Sequence, residues 1–196
     1  DELDIRNMGA LNNKMKATSV IMTIASLALA GIFPLAGFFS KDKILEVAFD
    51  SNAIALWTIL WITAGLTAFY SFRLVMKIFF GKQNYSDAEF HPHEAKSFVI
   101  AAMIPLAVLA VIAGWFEHSF VEFVTKTLPT WEPTNISHST SWILILVTSA
   151  VAIFGILVAV FKYKNGGFDK SWENSFIYKV LINQYFIPRF YEVFIS

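Results

Sequence analysis

The sequence predicts an all-α membrane protein with about four transmembrane helices. Of the 196 residues, 56% are hydrophobic and only 15% are charged, whereas average soluble chains have about 45–50% apolar and about 25% charged residues. The apolar residues fall in long runs, each close to the roughly 20 residues that a helix needs to cross a bilayer. Lysine and arginine also collect in alternate connections between these runs, as they do in multi-pass membrane proteins.

Composition excludes several other classes of protein. Lysine plus arginine and aspartate plus glutamate number 15 each, so the net charge indicates no nucleic-acid partner. The chain has no cysteine, which rules out a disulfide scaffold, a thiol nucleophile and cysteine-ligated metal centres. Neither a Ser-His-Asp catalytic set nor a glycine-rich phosphate loop is apparent, so we predict no catalytic residues on the chain.

The first predicted span is a broken helix over residues 17–49, preceded by a polar connection over residues 1–16. The break is expected at Gly31, Pro34 and Gly37, because proline removes a backbone donor and clashes with the preceding turn. The two halves together hold enough helical residues for one tilted crossing of about 40 Å.

Three unbroken spans and a final amphipathic segment are expected after the broken helix. The segment over residues 165–196 is too polar to cross a membrane and is interrupted by Pro188, so we expect it to lie in the interface or against a partner. The spans are predicted at 53–80, 97–116 and 141–161, which makes residues 17–164 the transmembrane bundle.

The distribution of basic residues predicts the orientation of these spans. With four crossings, the side of the membrane opposite to the termini has only Lys126 in its loops, and five of the six tryptophans lie near that side. The positive-inside rule then places both ends of the fragment in the cytoplasm. The basic residues on the side of the termini are Arg6, Lys14, Lys16, Lys77, Lys82, Lys96, Lys162, Lys164 and Lys170.

Ionisable residues follow the helix break within one turn. Lys43 and Glu46 are three residues apart and can form an ion pair. Lys41 has no carboxylate on its own helical face, and Asp42 has Glu46 as a like-charged neighbour and therefore needs a cation from elsewhere. Proton transfer is the function that this arrangement favours, with Lys41 and Asp42 as the candidate residues.

The physical basis for proton transfer is the desolvation of Lys41. A lysine on an apolar face near the middle of the bilayer loses its hydration, which disfavours its charged form. A broken helix adds free backbone carbonyls and room for water. The alternative is that the first span ends near Phe39 and that Lys41 only extends to the water interface. Spacing alone leaves both interpretations open.

A histidine-containing loop is the other candidate site. His91 and His93 flank Pro92 and precede Glu94, but a metal site would need a third ligand with defined geometry. We therefore predict a surface loop there and no metal site.

Four segments resemble one family of membrane proteins. They read MGALNNKM, LALAGIFPLAGFFSKDKILEVAF, TAFYSFRLVMKIFFG and FHPHEA, in this order along the chain. They are similar to the antiporter-like membrane subunits of bacterial respiratory complex I (NADH-quinone oxidoreductase), which are related to Mrp-type cation/proton antiporter subunits. The HPHE loop favours the subunit L branch of this family.

The resemblance implies a membrane arm that translocates protons while redox chemistry occurs in other subunits. Flavin, iron–sulfur clusters and quinone would belong to those subunits, so we expect no cofactor on this chain. The expected partners are other complex I membrane subunits and the lipid bilayer of a bacterial inner membrane. By position, Lys41 matches the lysine of the family's second broken helix, Asp42 matches the acid after it, and Lys43 replaces a residue that is usually acidic.

The resemblance also implies that this sequence is a C-terminal fragment. The family's first antiporter half would precede Asp1, and the lateral helix would continue beyond Ser196. Two alternatives remain open, namely a Mrp-type sodium/proton antiporter subunit and a structural membrane module needed for assembly.

Overall fold

The computed structural model describes residues 4–86, 91–127, 136–164, 166–167 and 174–194. Its regular elements in these ranges are all helices, so the predicted all-α fold is confirmed. The chain forms two compact units, Asp1–Asn165 and Gly166–Ser196. The first contains the helix bundle and the candidate site.

In its described residues, the first unit contains six α-helices. They are α1 (Lys16–Ala30), α2 (Ala36–Asp50), α3 (Ile54–Val75), α4 (Ser97–Ile112), α5 (Glu117–Thr127) and α6 (His138–Lys164). A 3-10 turn, Leu11–Asn13, precedes α1; a π turn, Met76–Phe80, extends α3; and a 3-10 turn, Ala113–Phe116, joins α4 to α5.

Within the described ranges, three helical stretches are long and apolar enough to cross a membrane in a single piece. They are Ile54–Phe80, Ser97–Lys126 and His138–Lys164. By contrast, α1 and α2 have only 15 residues each, or about 22 Å at 1.5 Å per residue. A fourth crossing therefore requires these two helices in succession.

The two longest helices, α3 and α6, pack side by side and run in the same direction. Near their starts, the Trp61 indole donates a hydrogen bond to the Val147 carbonyl at 3.3 Å. Farther along both helices, the rings of Phe69 and Tyr163 lie 6.1 Å apart. At Gly155 a Cβ would overlap the α3 backbone, so small residues allow this close packing.

Helices α1 and α2 follow one another along α3 in the opposite direction. Ala30, at the end of α1, is fully buried against Ala68 near the middle of α3. Phe49, near the end of α2, stacks its ring edge on Trp57 at the start of α3, with centroids 5.9 Å apart. The two short helices thus span the length of α3 together, as the broken-helix prediction requires.

Two glycines have different roles where α1 meets α2. Gly31 ends α1 with a φ of 78°, a left-handed conformation that side chains disfavour. Gly37 lies inside α2 rather than in the interruption, and a Cβ there would overlap the carbonyl of Ala28. Its contribution is therefore the close approach of α2 to the last turn of α1.

The second unit has α7 (Phe176–Ile182), a 3-10 turn (Gln184–Phe186) and α8 (Ile187–Phe194). In α8, Phe190 and Phe194 are four residues apart, with ring centroids at 4.6 Å, so they share one face of the helix. Pro188 lies in the first turn of α8, where a helix tolerates proline. Part of the predicted 165–196 segment, namely residues 165, 168–173 and 195–196, lies outside the described residues.

Candidate functional site

Lys41 binds the carbonyl groups at the end of α1. Its ammonium nitrogen donates hydrogen bonds to the carbonyl oxygens of Ala30 at 3.1 Å and Leu29 at 3.2 Å. The last carbonyls of a helix lack intrahelical partners, and the negative end of the helix dipole favours a cation. The break in the helix thus supplies Lys41 with neutral acceptors in place of a carboxylate.

A cavity of about 320 Å³ opens beside Lys41 between α1, α2 and α3. Thr63 and Thr67 line it, and each hydroxyl donates to the carbonyl four residues earlier in α3, both at 2.7 Å. Their oxygen atoms remain available as acceptors. The space suits several water molecules in contact with the lysine.

The cavity lies near the middle of the membrane-spanning stretch. Its α3 wall runs from Leu60 to Thr67, within a helical stretch that extends from Ile54 to Phe80. Lys41 is half-buried there. A lysine that reaches for the water interface would lie near an end of the membrane-spanning stretch, so this position favours the proton-transfer interpretation.

Asp42 is half-buried next to Lys41. Its Oδ2 atom is fully enclosed and has no hydrogen-bond partner among the described residues. An enclosed carboxylate oxygen without a partner is costly, and a proton or a water molecule on that oxygen would remove the cost.

The ion pair expected one turn further along α2 is present. The Lys43 ammonium lies 2.9 Å from Glu46 Oε2. Glu46 has a second partner that sequence reasoning missed. The Ser141 hydroxyl, in the first turn of α6, donates a hydrogen bond to Glu46 Oε1. These two residues are 95 positions apart, and no local pattern joins them.

Glu94 is a structural residue that sequence reasoning also missed. Its carboxylate accepts hydrogen bonds from the Thr18 hydroxyl at 2.5 Å and from the Ala17 backbone amide at 2.7 Å. The Thr18 hydrogen bond is the main reason that the pKa of Glu94 lies below its ordinary value, and the backbone bonds add to it. One signal was available in the sequence: α1 has no acidic residue in its first turn, so its free amides need an acceptor from elsewhere.

The histidine-containing loop is thus the cap of α1. His93 Nδ1 lies 3.0 Å from the backbone carbonyl of Glu94. The Glu94 carboxylate accepts hydrogen bonds from the first turn of α1. In the described ranges, no group of three or more histidine, aspartate or glutamate residues could hold a metal ion. The absence of a metal from the whole chain stays a prediction.

Comparison with known proteins gives one family model and a set of relatives. Residues 1–67 match the model described as "NADH:quinone oxidoreductase/Mrp antiporter, TM". This match covers α1, α2 and the part of α3 that lines the cavity.

The relatives align along nearly the whole chain. NADH-quinone oxidoreductase subunit L of Campylobacter jejuni is 48% identical over 195 residues, which cover 100% of this chain and 31% of the relative. The Rickettsia bellii protein of the same name is 34% identical, over 99% of this chain and 32% of the relative. The chloroplastic NAD(P)H-quinone oxidoreductase subunit 5 of Chlorokybus atmophyticus is 31% identical, over 95% of this chain and 30% of the relative.

The chain therefore spans about a third of the length of these relatives. Its helices, the family model and the aligned relatives agree on a multi-pass membrane protein. The chain belongs to the family of antiporter-like membrane subunits of NADH:quinone oxidoreductase and Mrp antiporters.

Proposed function

We propose that this chain is the C-terminal part of a proton-translocating membrane subunit of NADH:quinone oxidoreductase. In this proposal the subunit moves protons across the membrane, coupled to electron transfer in other subunits. The observation that carries the proposal is the position of Lys41, which is half-buried at mid-span beside a cavity and, among the described residues, hydrogen-bonded only to backbone carbonyls.

Neutral partners suit a lysine that must both bind and release a proton. A buried ion pair would hold the ammonium firmly, because removing one charge leaves the other uncompensated. Two carbonyls stabilise the ammonium less, and they do not become isolated charges when it loses its proton. Asp42 adds a carboxylate beside Lys41 whose enclosed oxygen can take part in the same transfer.

The remaining parts of the proposal concern the whole subunit. Redox cofactors lie on other subunits, this chain has no redox site, and its partners are other membrane subunits of the complex. The relatives' names as oxidoreductase subunits support the part of this assignment that concerns partner subunits. We further propose a bacterial inner membrane, with residues 1–16 as a cytoplasmic connection, 17–164 as the antiporter-like bundle and 165–196 as the start of a lateral segment.

Replacement of Lys41 tests the function. In the full-length subunit, assembled in its complex, Lys41→Met should slow proton translocation about 100-fold or more through this subunit, the usual contribution of a proton-transfer group. Proton uptake by sealed vesicles during NADH oxidation measures this rate. Lys43→Met is the matched control, because it removes a neighbouring but exposed lysine.

Unchanged translocation in Lys41→Met would contradict the proposal and favour a structural module. The family model also covers Mrp antiporters, so a sodium/proton antiporter subunit is the second candidate. Proton movement that depends on sodium and continues without NADH would identify that activity.

A further inference from the structure

Glu46 stands between the proposed proton site and one end of the bundle. That end, called the distal end here, is where α2 ends and where α3 and α6 begin. Glu46 follows Asp42 by four residues, so the two carboxyl groups share a face of α2. It lies about 6 Å nearer to the distal end than Asp42, at 1.5 Å per residue.

The two oxygens of Glu46 have different partners. Lys43 donates to Oε2 at 2.9 Å, and the Ser141 hydroxyl donates to Oε1. A lysine ammonium can only donate, whereas a hydroxyl can donate and accept. If Glu46 takes up a proton, only the Ser141 side can reverse its hydrogen bond and accept from it.

Three further hydroxyl groups lie just before Ser141 in the chain, on Ser137, Ser139 and Thr140. The Ser137 hydroxyl lies 2.8 Å from that of Thr140 and 3.0 Å from that of Ser139. Ser137 and Ser139 are exposed, and Thr140 and Ser141 are half-buried. The Ser141 hydroxyl thus joins a half-buried carboxylate to the first turn of α6, where exposed hydroxyl groups lie within four residues of it in the chain.

We propose that Glu46 passes protons between Asp42 and the hydroxyl groups at the start of α6, as the distal end of the route through Lys41. The inference rests on the proposed function and extends it by one residue. In the step, an O–H bond of the Asp42 carboxylic acid breaks and an O–H bond forms on Glu46, directly or through a water molecule. The negative charge moves to Asp42, and Glu46 then releases the proton to water at the hydroxyl groups.

The competing role for Glu46 is a static connection between α2 and α6. An amide at this position keeps a carbonyl oxygen that accepts from Ser141 but does not bind a proton at neutral pH. Glu46→Gln therefore separates the two roles. Glu46→Asp keeps the titrating group, and Lys43→Gln changes the same ion pair while leaving the carboxylate in place.

The experiment measures proton translocation by the full complex in sealed vesicles, together with the amount of assembled complex. We expect Glu46→Gln to assemble normally and to translocate protons about tenfold or more slowly. Glu46→Asp should restore most of the rate, and Lys43→Gln should keep it.

Three results would overturn the role of Glu46. They are normal translocation by Glu46→Gln, a loss in Lys43→Gln as large as that in Glu46→Gln, and failure of the Glu46→Gln complex to assemble. Lys41→Met, measured in parallel, separates the two proposals. A loss in Lys41→Met with normal rates in Glu46→Gln would reject only the relay, whereas normal rates in Lys41→Met would reject the proposed function itself.

Discussion

At the scale of single residues, the site depends on how each charge is compensated. Lys41 has carbonyl groups for partners, Lys43 has Glu46, and Asp42 has an enclosed oxygen without a hydrogen bond among the described residues. Three neighbouring charges in one helix thus have three different environments. The difference between Lys41 and Lys43 makes the second a natural control for the first.

Glu94 gives a prediction about pH that lies outside the membrane-spanning segments. Its pKa is below the ordinary 4.5 in the folded protein, mainly because of the Thr18 hydrogen bond. A lowered carboxyl pKa stabilises the fold above the unfolded value, and this stabilisation is lost as the pH falls through the folded value. The contact between the loop and α1 should therefore be intact at pH 7 and weaken below about pH 4.5.

Amide hydrogen exchange at Ala17 and Thr18 checks this prediction in the intact complex. At pH 7, exchange should be about two- to tenfold faster in Glu94→Gln than in the unchanged protein, as expected for a weakened hydrogen bond. Below pH 4.5 the difference should shrink. Glu192→Gln, which alters an exposed carboxylate in α8, should leave both amides unaffected. If the exchange rates of Glu94→Gln and the unchanged protein differed equally at all pH values, the role of the ionised Glu94 carboxylate would be contradicted.

Individual residues also show what the sequence could predict. The Lys43–Glu46 pair follows from spacing along one helix, because neighbours three or four positions apart share a face. The roles of Lys41 and Asp42 in proton transfer stay predictions. The Glu94 contacts with α1 span 76–77 positions. Such contacts arise from packing of separate helices, which local patterns do not encode.

At the scale of elements, the pair α1 and α2 matters most. The break leaves carbonyls free at the end of α1, and the second helix brings Lys41 back to them. Sequence predicted the interruption from Gly31 and Pro34, since both have known effects on helices. The part taken by Gly37, a close approach to Ala28, required the three-dimensional structure.

Substitution of Gly37 by alanine tests the close approach of α2 to α1. Gly37→Ala would overlap the Ala28 carbonyl, so α2 must move away from α1, at a cost of about 1–3 kcal/mol for overpacking. We expect lower thermal stability of the complex and slower proton translocation, since Lys41 moves with α2. Gly65→Ala is the control, because its Cβ would come no nearer than 3.0 Å to a side-chain atom and 3.6 Å to a backbone atom, both of Val151. Equal effects of the two substitutions would contradict the proposed contact.

At the scale of the whole molecule, the directions of the helices support the predicted topology. The stretch formed by α1 and α2 runs against α3, whereas α3 and α6 run together. Four successive crossings of a membrane alternate in direction, so the first and second crossings are antiparallel and the second and fourth are parallel, as these helices are. Apolar runs were enough to predict the three long helices at Ile54–Phe80, Ser97–Lys126 and His138–Lys164, because the bilayer imposes their length. The count of four crossings and their orientation stay predictions. Which helices touch depends on small residues such as Gly155, whose contacts the sequence alone does not reveal.

Single cysteines test the orientation of these spans. The sequence has no cysteine, and Ser51, Asn84 and Ser137 are all exposed. A membrane-impermeant thiol reagent should label Ser51→Cys and Ser137→Cys from one side of the membrane. Asn84→Cys should react only from the other side, which we expect to be the cytoplasm. Labelling of all three from one side would reject the four-crossing topology.

The central claim is that Lys41 carries a proton rather than a fixed charge, and Lys41→Arg tests it most directly. Arginine keeps a cation that can donate to the carbonyls of Leu29 and Ala30, but it does not release its proton in proteins. Proton translocation by the assembled complex should therefore fall in Lys41→Arg about as far as in Lys41→Met. Normal translocation by Lys41→Arg would show that a fixed positive charge is sufficient, and it would contradict the account.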